Sequence, residues 1–174
     1  GEIQQLDWIA KAGVYKRWPD AVEIKLVERV PIVRWGKEGF LDASGTPFTV
    51  PDNDKLRGLF KLQGPDGYEQ QVLQYYEDIA PWLAARHLDV ARLTLDPRLV
   101  WHVELSGGTD IILGRDQLNE RLKKLVVVND KVIKPYHPYI DAIDLRYHDG
   151  FSVRWKAGVR PVTTEAKDKT KEKK

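Results

Sequence analysis

Apolar and polar positions follow two periods along this chain, close to two over several short stretches and near 3.6 over longer ones. Val22, Ile24 and Leu26 alternate with Glu23 and Lys25, predicting a strand with one buried face that Arg29-Val30-Pro31 closes. Ile32 to Trp35 begins a second strand, and Phe40-Leu41, a turn at 42–45 and Thr46 to Phe48 predict a short hairpin. Residues 51–58 read as loop, with a short strand at Leu59 to Leu62 before Gly64-Pro65. Strands follow at Val90 to Leu95, Val100 to Leu105 and Asp110 to Leu113, punctuated by Asp96-Pro97 and Ser106-Gly107-Gly108. Helical spacing appears three times. Ile3, Leu6 and Ile9/Ala10 predict a helix up to Val14, which Trp18-Pro19-Asp20 breaks. Val72, Tyr75/Tyr76, Ile79 and Leu83 share one face of a helix over Tyr68 to Arg86, where Pro81 should produce a kink or two shorter helices. Leu118, Leu122, Leu125 and Val126 form the stripe of another helix after Gly114. Pro135 and Pro138 bracket a loop. Clustered hairpins with intervening helices predict an α+β fold, a mixed, mostly antiparallel sheet with helices on one face.

The last ordered stretch, Asp144 to Trp155, reads as two strands around a turn. A two-residue turn at Asp149-Gly150 would set charged against apolar residues on both faces. A three-residue loop, His148-Asp149-Gly150, pairs Tyr147 with Phe151, Leu145 with Val153 and Ile143 with Trp155 instead. On the other face it pairs Arg146 with Ser152 and Asp144 with Arg154. The expectation is this second register, with Gly150 at positive φ in a G1 bulge. No convincing strand follows Trp155, so Phe151 to Trp155 is expected at a sheet edge. Such an edge offers backbone groups to a partner strand, with aromatic side chains supplying pockets.

Composition narrows the classes. Of 174 residues, 42% are hydrophobic and 31% charged, the balance of an ordinary globular protein. The absence of Met, including at position 1, leads one to expect a fragment or processed form, and no apolar run reaches the ~20 residues that span a bilayer. Without Cys there are no disulfides, thiolate nucleophiles or zinc–thiolate sites. The net charge of +2 comes from the last ten residues, EAKDKTKEKK, whose five Lys and three acids leave 23 charges of each sign elsewhere. That balance argues against nucleic-acid binding, which needs clustered cations. The stretch 161–174 is expected to be a disordered charged tail.

Motifs for catalysis or cofactors (GxSxG, a P-loop, GxGxxG, HExxH) are missing. His87, His102, His137 and His148 lack ligand spacing and are expected as surface or turn residues, so no metal, cofactor or catalytic residue is assigned. Asp141 and Asp144 do not by their spacing point to an acid/base pair. Two alternatives to an interaction module stay open. A glycan- or peptidoglycan-binding module would stack sugars on some of the six Trp and seven Tyr, and a hydrolase would need two carboxylates converging in a cleft.

Several short motifs, in order, resemble one family. Leu6-Asp7-Trp8-Ile9, Arg17-Trp18-Pro19, Glu28-Arg29-Val30-Pro31, Ile32-Val33-Arg34-Trp35 and Leu41-Asp42 open the series. Gly45-x-x-Phe48, Leu62-x-Gly64-Pro65-x-Gly67, Leu113-Gly114-Arg115, Arg121-Leu122 and the closing Asp144-Leu145-Arg146-Tyr147…Trp155 complete it. Together they resemble the FtsQ/DivIB family of bacterial cell division proteins over roughly residues 6–155. The resemblance implies the end of a POTRA domain at 1–30 and an FtsQ-type β domain at 31–160. It implies a protein held in the inner membrane by a helix that this chain lacks, facing the periplasm at the division septum. It further implies a non-enzymatic scaffold that binds FtsB and FtsL and helps recruit other divisome proteins for septal wall synthesis, with FtsB adding a strand to the last strand. Carried over by position, the interface would comprise Arg115, Arg146, Tyr147, Gly150, Phe151, Ser152, Val153 and Trp155. The two arginines would grip partner carboxylates, unless Arg146 pairs with Asp144 or another local acid. Asp149 stands where a small polar residue such as Ser or Asn is expected in the family.

Overall fold

The computed structural model describes residues 6–159 apart from Asp52. Ile3 and the charged tail at 161–174 lie outside the described residues. Strand β1 (Ile9–Arg17) pairs antiparallel with β2 (Ala21–Glu28), setting Val14 opposite Ile24, with a cis Trp18–Pro19 peptide in the turn. The helix expected up to Val14 is therefore a strand from Ile9 onward. A three-to-four spacing of apolar residues suits a helix, but β2 supplies a ladder of backbone partners that local spacing does not report. Ile9 is buried, whereas Val14, Val22 and Ile24 are exposed and Trp18 is 93% exposed. Arg29 fastens this hairpin to the turn that begins at Asp42, bonding the Asp42 carboxylate at 2.5 Å, and to the Asp7 carbonyl at 3.1 Å.

Among the described residues the larger sheet has nine strands. They are β3 (Val33–Trp35), β4 (Gly39–Leu41), β5 (Pro47–Phe48), β6 (Lys61–Gln63), β7 (Val90–Leu95), β8 (Trp101–Leu105), β9 (Asp110–Gly114), β10 (Ile140–Asp144) and β11 (Ser152–Trp155). Their spatial order is β11-β10-β9-β8-β7-β6-β3-β4-β5. The β9–β10, β6–β7 and β3–β6 pairs are parallel and the rest antiparallel, so the sheet is mixed and mostly antiparallel. Among the described residues two long helices, α1 (Glu69–Ala84) and α2 (Leu118–Val128), are inserted before β7 and after β9. Pro81 does not divide α1, because it lies in the last turn, where few backbone bonds remain to be lost. The segment expected as a loop around Pro135 and Pro138 is helical, a π-turn at Asn129–Ile133 running into short turns at Lys134–Tyr136 and His137–Tyr139. Each proline sits at the start of a turn, where its missing N–H costs nothing.

Register across the sheet sorts the two faces. Trp35, Leu62, Leu93, Val103, Ile111, Ile143 and Val153 are successive cross-strand neighbours. They join Val72, Ile79 and Leu83 of α1 and Leu122 and Leu125 of α2 in one core. On the opposite face the same pairing lines up Arg34, Lys61, Arg92, Glu104, Asp110, Ala142 and Arg154. Partial burial, then the neighbouring Arg92 and Arg34 charges, push the Lys61 ammonium below its usual pKa. Among the described residues no helix is long and apolar enough to cross a membrane.

Candidate functional site

Among the described residues the strand β11 pairs only with β10 and forms one border of the sheet. Ile143 stands opposite Val153, Asp144 opposite Ser152, Ala142 opposite Arg154 and Ile140 opposite Trp155, with a bulge at Asp141. The expected register is thus overturned by a slide of two residues. Tyr147, Phe151 and Leu145 lie outside the ladder in the connection 145–151, and Gly150 is not at positive φ. Because the slide is two residues and not one, each strand keeps its faces: Ile143 and Val153 stay on the core side, Asp144 and Ser152 on the polar side. The expected Asp144–Arg154 pair is replaced by two others, Arg154 with Asp141 (Nε to Oδ2, 2.5 Å) and Arg146 with Asp144.

Main-chain alternation decides what the edge offers. The Leu145 N–H donates to the Ile112 carbonyl of β9 at 3.0 Å, so on β10 the odd positions face β9. Ala142 and Asp144 then face β11, and their partners Arg154 and Ser152 face back toward them. The Lys156 N–H, donating to the Tyr139 carbonyl at 2.9 Å, obeys the same alternation. Val153 and Trp155 therefore turn their N–H and C=O groups to the open edge. Their side chains pack partly against the core, and the Trp155 ring meets Tyr136 edge-on with centroids 6.1 Å apart.

Above the edge, the 145–151 connection is held by charge. The Lys124 ammonium of α2 donates to the carbonyls of Tyr147, His148 and Gly150 at 2.9, 3.1 and 3.3 Å. Tyr147 and Phe151 remain 58% and 39% exposed, and residues Tyr147 to Ser152 line a shallow hollow of about 540 Å³. At the start of this connection, Arg146 grips Asp144 through Nε (2.9 and 3.0 Å) and Nη2 (2.6 Å), and the Asp144 Oδ1 also accepts the Arg146 backbone N–H at 3.0 Å. The Arg146 hydrogen bonds are the main reason the Asp144 carboxyl sits below the usual carboxylate pKa. Arg146 thus takes the local alternative and pairs with Asp144, while half its side chain stays exposed. Arg121 donates to the Leu113 carbonyl, and Gly114, at φ 93°, leaves room for both Arg121 and the Arg146 stem. Arg115 follows directly and is exposed, lining a separate cleft with Tyr75, Asp78 and Gln117.

Seven of the eight expected interface residues thus form one contiguous corner, and Arg115 lies at the same end of the sheet toward α1. Residue patterning missed Lys124 altogether. Its position on the polar side of α2 resembles that of any solvated lysine, and its three acceptors are more than twenty residues away. His102 departs from the expected surface histidine, being half-buried in β8. Its Nδ1 lies 3.0 Å from Asp110 and its Nε2 3.7 Å from Asp96, and the Asp110 hydrogen bond chiefly raises its pKa. Among the described residues no three His, Asp or Glu groups converge to hold a metal. Asp141 and Asp144 are each engaged by an arginine.

Comparison with known proteins adds a decisive finding, because the family model for the C-terminal region of cell division protein FtsQ/DivIB matches residues 33–146. The chain belongs to the FtsQ/DivIB family. The model for the FtsQ-type POTRA domain matches residues 1–29. The cell division protein FtsQ of Xanthomonas campestris pv. campestris is 39% identical over 151 residues, covering 87% of this chain and 54% of that protein. Those of Cellvibrio japonicus and Burkholderia pseudomallei are 37% and 34% identical, covering 87% and 96% of this chain and 47% and 68% of theirs. The chain therefore spans about half the length of the first two FtsQ relatives. The match places it among cell division proteins, and the α+β architecture agrees with a POTRA segment followed by an FtsQ β domain.

Proposed function

We propose that this FtsQ-type chain is the partner-binding part of a non-enzymatic division scaffold. Residues 1–30 close a POTRA domain and 31–160 form the β domain. The whole protein is anchored in the inner membrane by a helix outside this chain and works in the periplasm at the septum. FtsB adds an antiparallel or parallel strand along β11, FtsL joins through the same complex, and other divisome proteins are recruited by it. The observation that carries this reading is the edge of β11, open among the described residues, with the outward main-chain groups of Val153 and Trp155 beside exposed Tyr147 and Phe151. Strand addition satisfies such groups with ladder hydrogen bonds, and the hollow at 147–152 accepts the partner's side chains. Arg146 engages Asp144 through Nε and Nη2, leaving Nη1 for an incoming carboxylate, and Arg115 supplies a second cation at that end.

Amide hydrogen exchange followed by NMR tests the proposal. The Val153 and Trp155 amides should exchange fast in the free protein and slow at least tenfold on saturation with an FtsB-like C-terminal peptide. The β10 amides, already bonded, should change little. Saturable binding that leaves Val153 and Trp155 unprotected would dismiss strand addition at β11.

A further inference from the structure

The face of the larger sheet that turns away from α1 and α2 carries a row of like charges. Arg34 of β3, Lys61 of β6 and Arg92 of β7 are successive partners in two parallel ladders, and all three are partly buried. Like charges set directly opposite one another destabilise a sheet. The row is no consequence of a generally basic protein, since outside the last ten residues the two signs balance. Compensation within it is incomplete. Glu104 of β8 stands 3.3 Å from the Arg92 Nε, but out of line for a hydrogen bond, so among the described residues that buried N–H has no partner. The Arg92 and Arg34 charges act more strongly on Lys61 than the Glu104 carboxylate does, and the Lys61 ammonium stays below its usual pKa.

Beyond β3 the row opens into a hollow of about 310 Å³, lined by Arg34, Lys37, Glu38, Phe40, Asn53 and Arg57. Lys37 is exposed there, and Arg57 pairs with Asp54 at 2.7 Å. At the other end of the row the sign reverses, with Glu104 on β8 facing Asp110 on β9. This layout selects the kind of anion that fits. Neighbouring strands lie about 4.8 Å apart, so the three cations of the row alone span about 10 Å. A single phosphate reaches one or two of them. A plane of negative charge such as a membrane surface would press on Glu104 and Asp110 as well. A polypeptide carrying several carboxylates meets the cations one after another and stops short of the acids, and each Arg fork can take a carboxylate with two parallel hydrogen bonds.

We propose that the row Arg34–Lys61–Arg92, with the hollow beside it, binds an acidic polypeptide segment of a partner protein. The segment crosses β7, β6 and β3, its carboxylates filling the positions where like charges now face each other. The surface is separated from β11 by β8, β9 and β10, so it works independently of the edge strand.

The test uses the chain as it stands and acetyl-hexaglutamate amide as the probe, at low ionic strength. NMR titration should give saturable binding that weakens as salt rises, with shifts centred on residues 34–37, 53–57, 61 and 92. Acetyl-hexaglutamine amide should not bind. Lys61→Gln should weaken binding about threefold and the double variant Arg34→Gln/Lys61→Gln at least tenfold, with the parent circular dichroism retained because each change removes a like-charge neighbour. Should the double variant fail to fold, Lys61→Gln alone decides. Absence of saturable shifts, shifts centred on 165–174 instead, or unchanged affinity in the folded variants would overturn the proposal. Tighter binding of inorganic pyrophosphate than of hexaglutamate at the same residues would overturn it in favour of a phosphate site. Sedimentation with phosphatidylglycerol vesicles that Lys61→Gln abolishes would overturn it in favour of a membrane surface.

Discussion

Proline scanning along β11 separates the outward from the inward face of the edge strand. Proline lacks the N–H and is tolerated in a sheet only where that group is not needed by a neighbour. At Val153 the N–H points away from β10, so Val153→Pro should leave the β10–β11 ladder in place and remove one donor from the partner's binding track. The partner carbonyl then meets a pyrrolidine ring with no water to replace the bond. An unsatisfied group of this kind costs about 1–3 kcal/mol, which is about 5- to 150-fold in Kd at 1.4 kcal/mol per tenfold. At Ser152 the N–H faces Asp144, so Ser152→Pro breaks the first rung of the hairpin and should lower Tm as well as binding. The assay is calorimetric titration of an FtsB-like C-terminal peptide, with circular dichroism melting of each variant. If Val153→Pro bound as tightly as the parent protein while Ser152→Pro kept the parent Tm, the deduced orientation of β11 would be wrong.

Lys124→Met should free the three carbonyls of the 145–151 connection, costing about 1.5 kcal/mol, the low end for hydrogen bonds to a charged group because the ammonium is partly solvated. Urea unfolding measures this, and the amides of 147–150 should exchange faster. Arg146→Glu sets a second carboxylate against the largely buried Asp144, so peptide affinity should fall at least tenfold, whereas Arg146→Lys, without the bidentate fork, should fall less; titration calorimetry ranks the three. Gly114→Ala combines left-handed backbone with crowding of Arg121 and the Arg146 stem, and should cost about 1–2 kcal/mol for the backbone alone, read from thermal melts. The raised pKa of His102 means that its contribution to stability is complete below the unfolded value of about 6.5 and fades as pH rises through the higher folded value. Stability measured from pH 6 to 8.5 should therefore decline, and His102→Gln should flatten that slope.

The alternation of apolar and charged residues was enough to delimit β7, β8 and β9 almost to the residue, because each pairs with sequence neighbours through tight turns and buries one face. It also revealed α1 and α2, whose stripes are long, and the border position of Ser152 to Trp155, although Phe151, expected with them, lies in the connection. Patterning did not reach the β10–β11 register. Shifting one strand by two residues returns every side chain to its own face, so the sorting of Ile143, Val153, Asp144 and Ser152 is identical in both arrangements. The observed arrangement comes with distant groups: Lys124 gathers the carbonyls of the connection, and Asp144 holds Arg146 out of the ladder. The strand β1 was hidden for a related reason, its partner β2 supplying a preference that the apolar spacing of residues 3–14 does not carry. Side-chain periodicity is a local property that selects faces, whereas register, clamps and clefts depend on which distant atoms share a solvent-excluded volume, and the tertiary structure alone decides that.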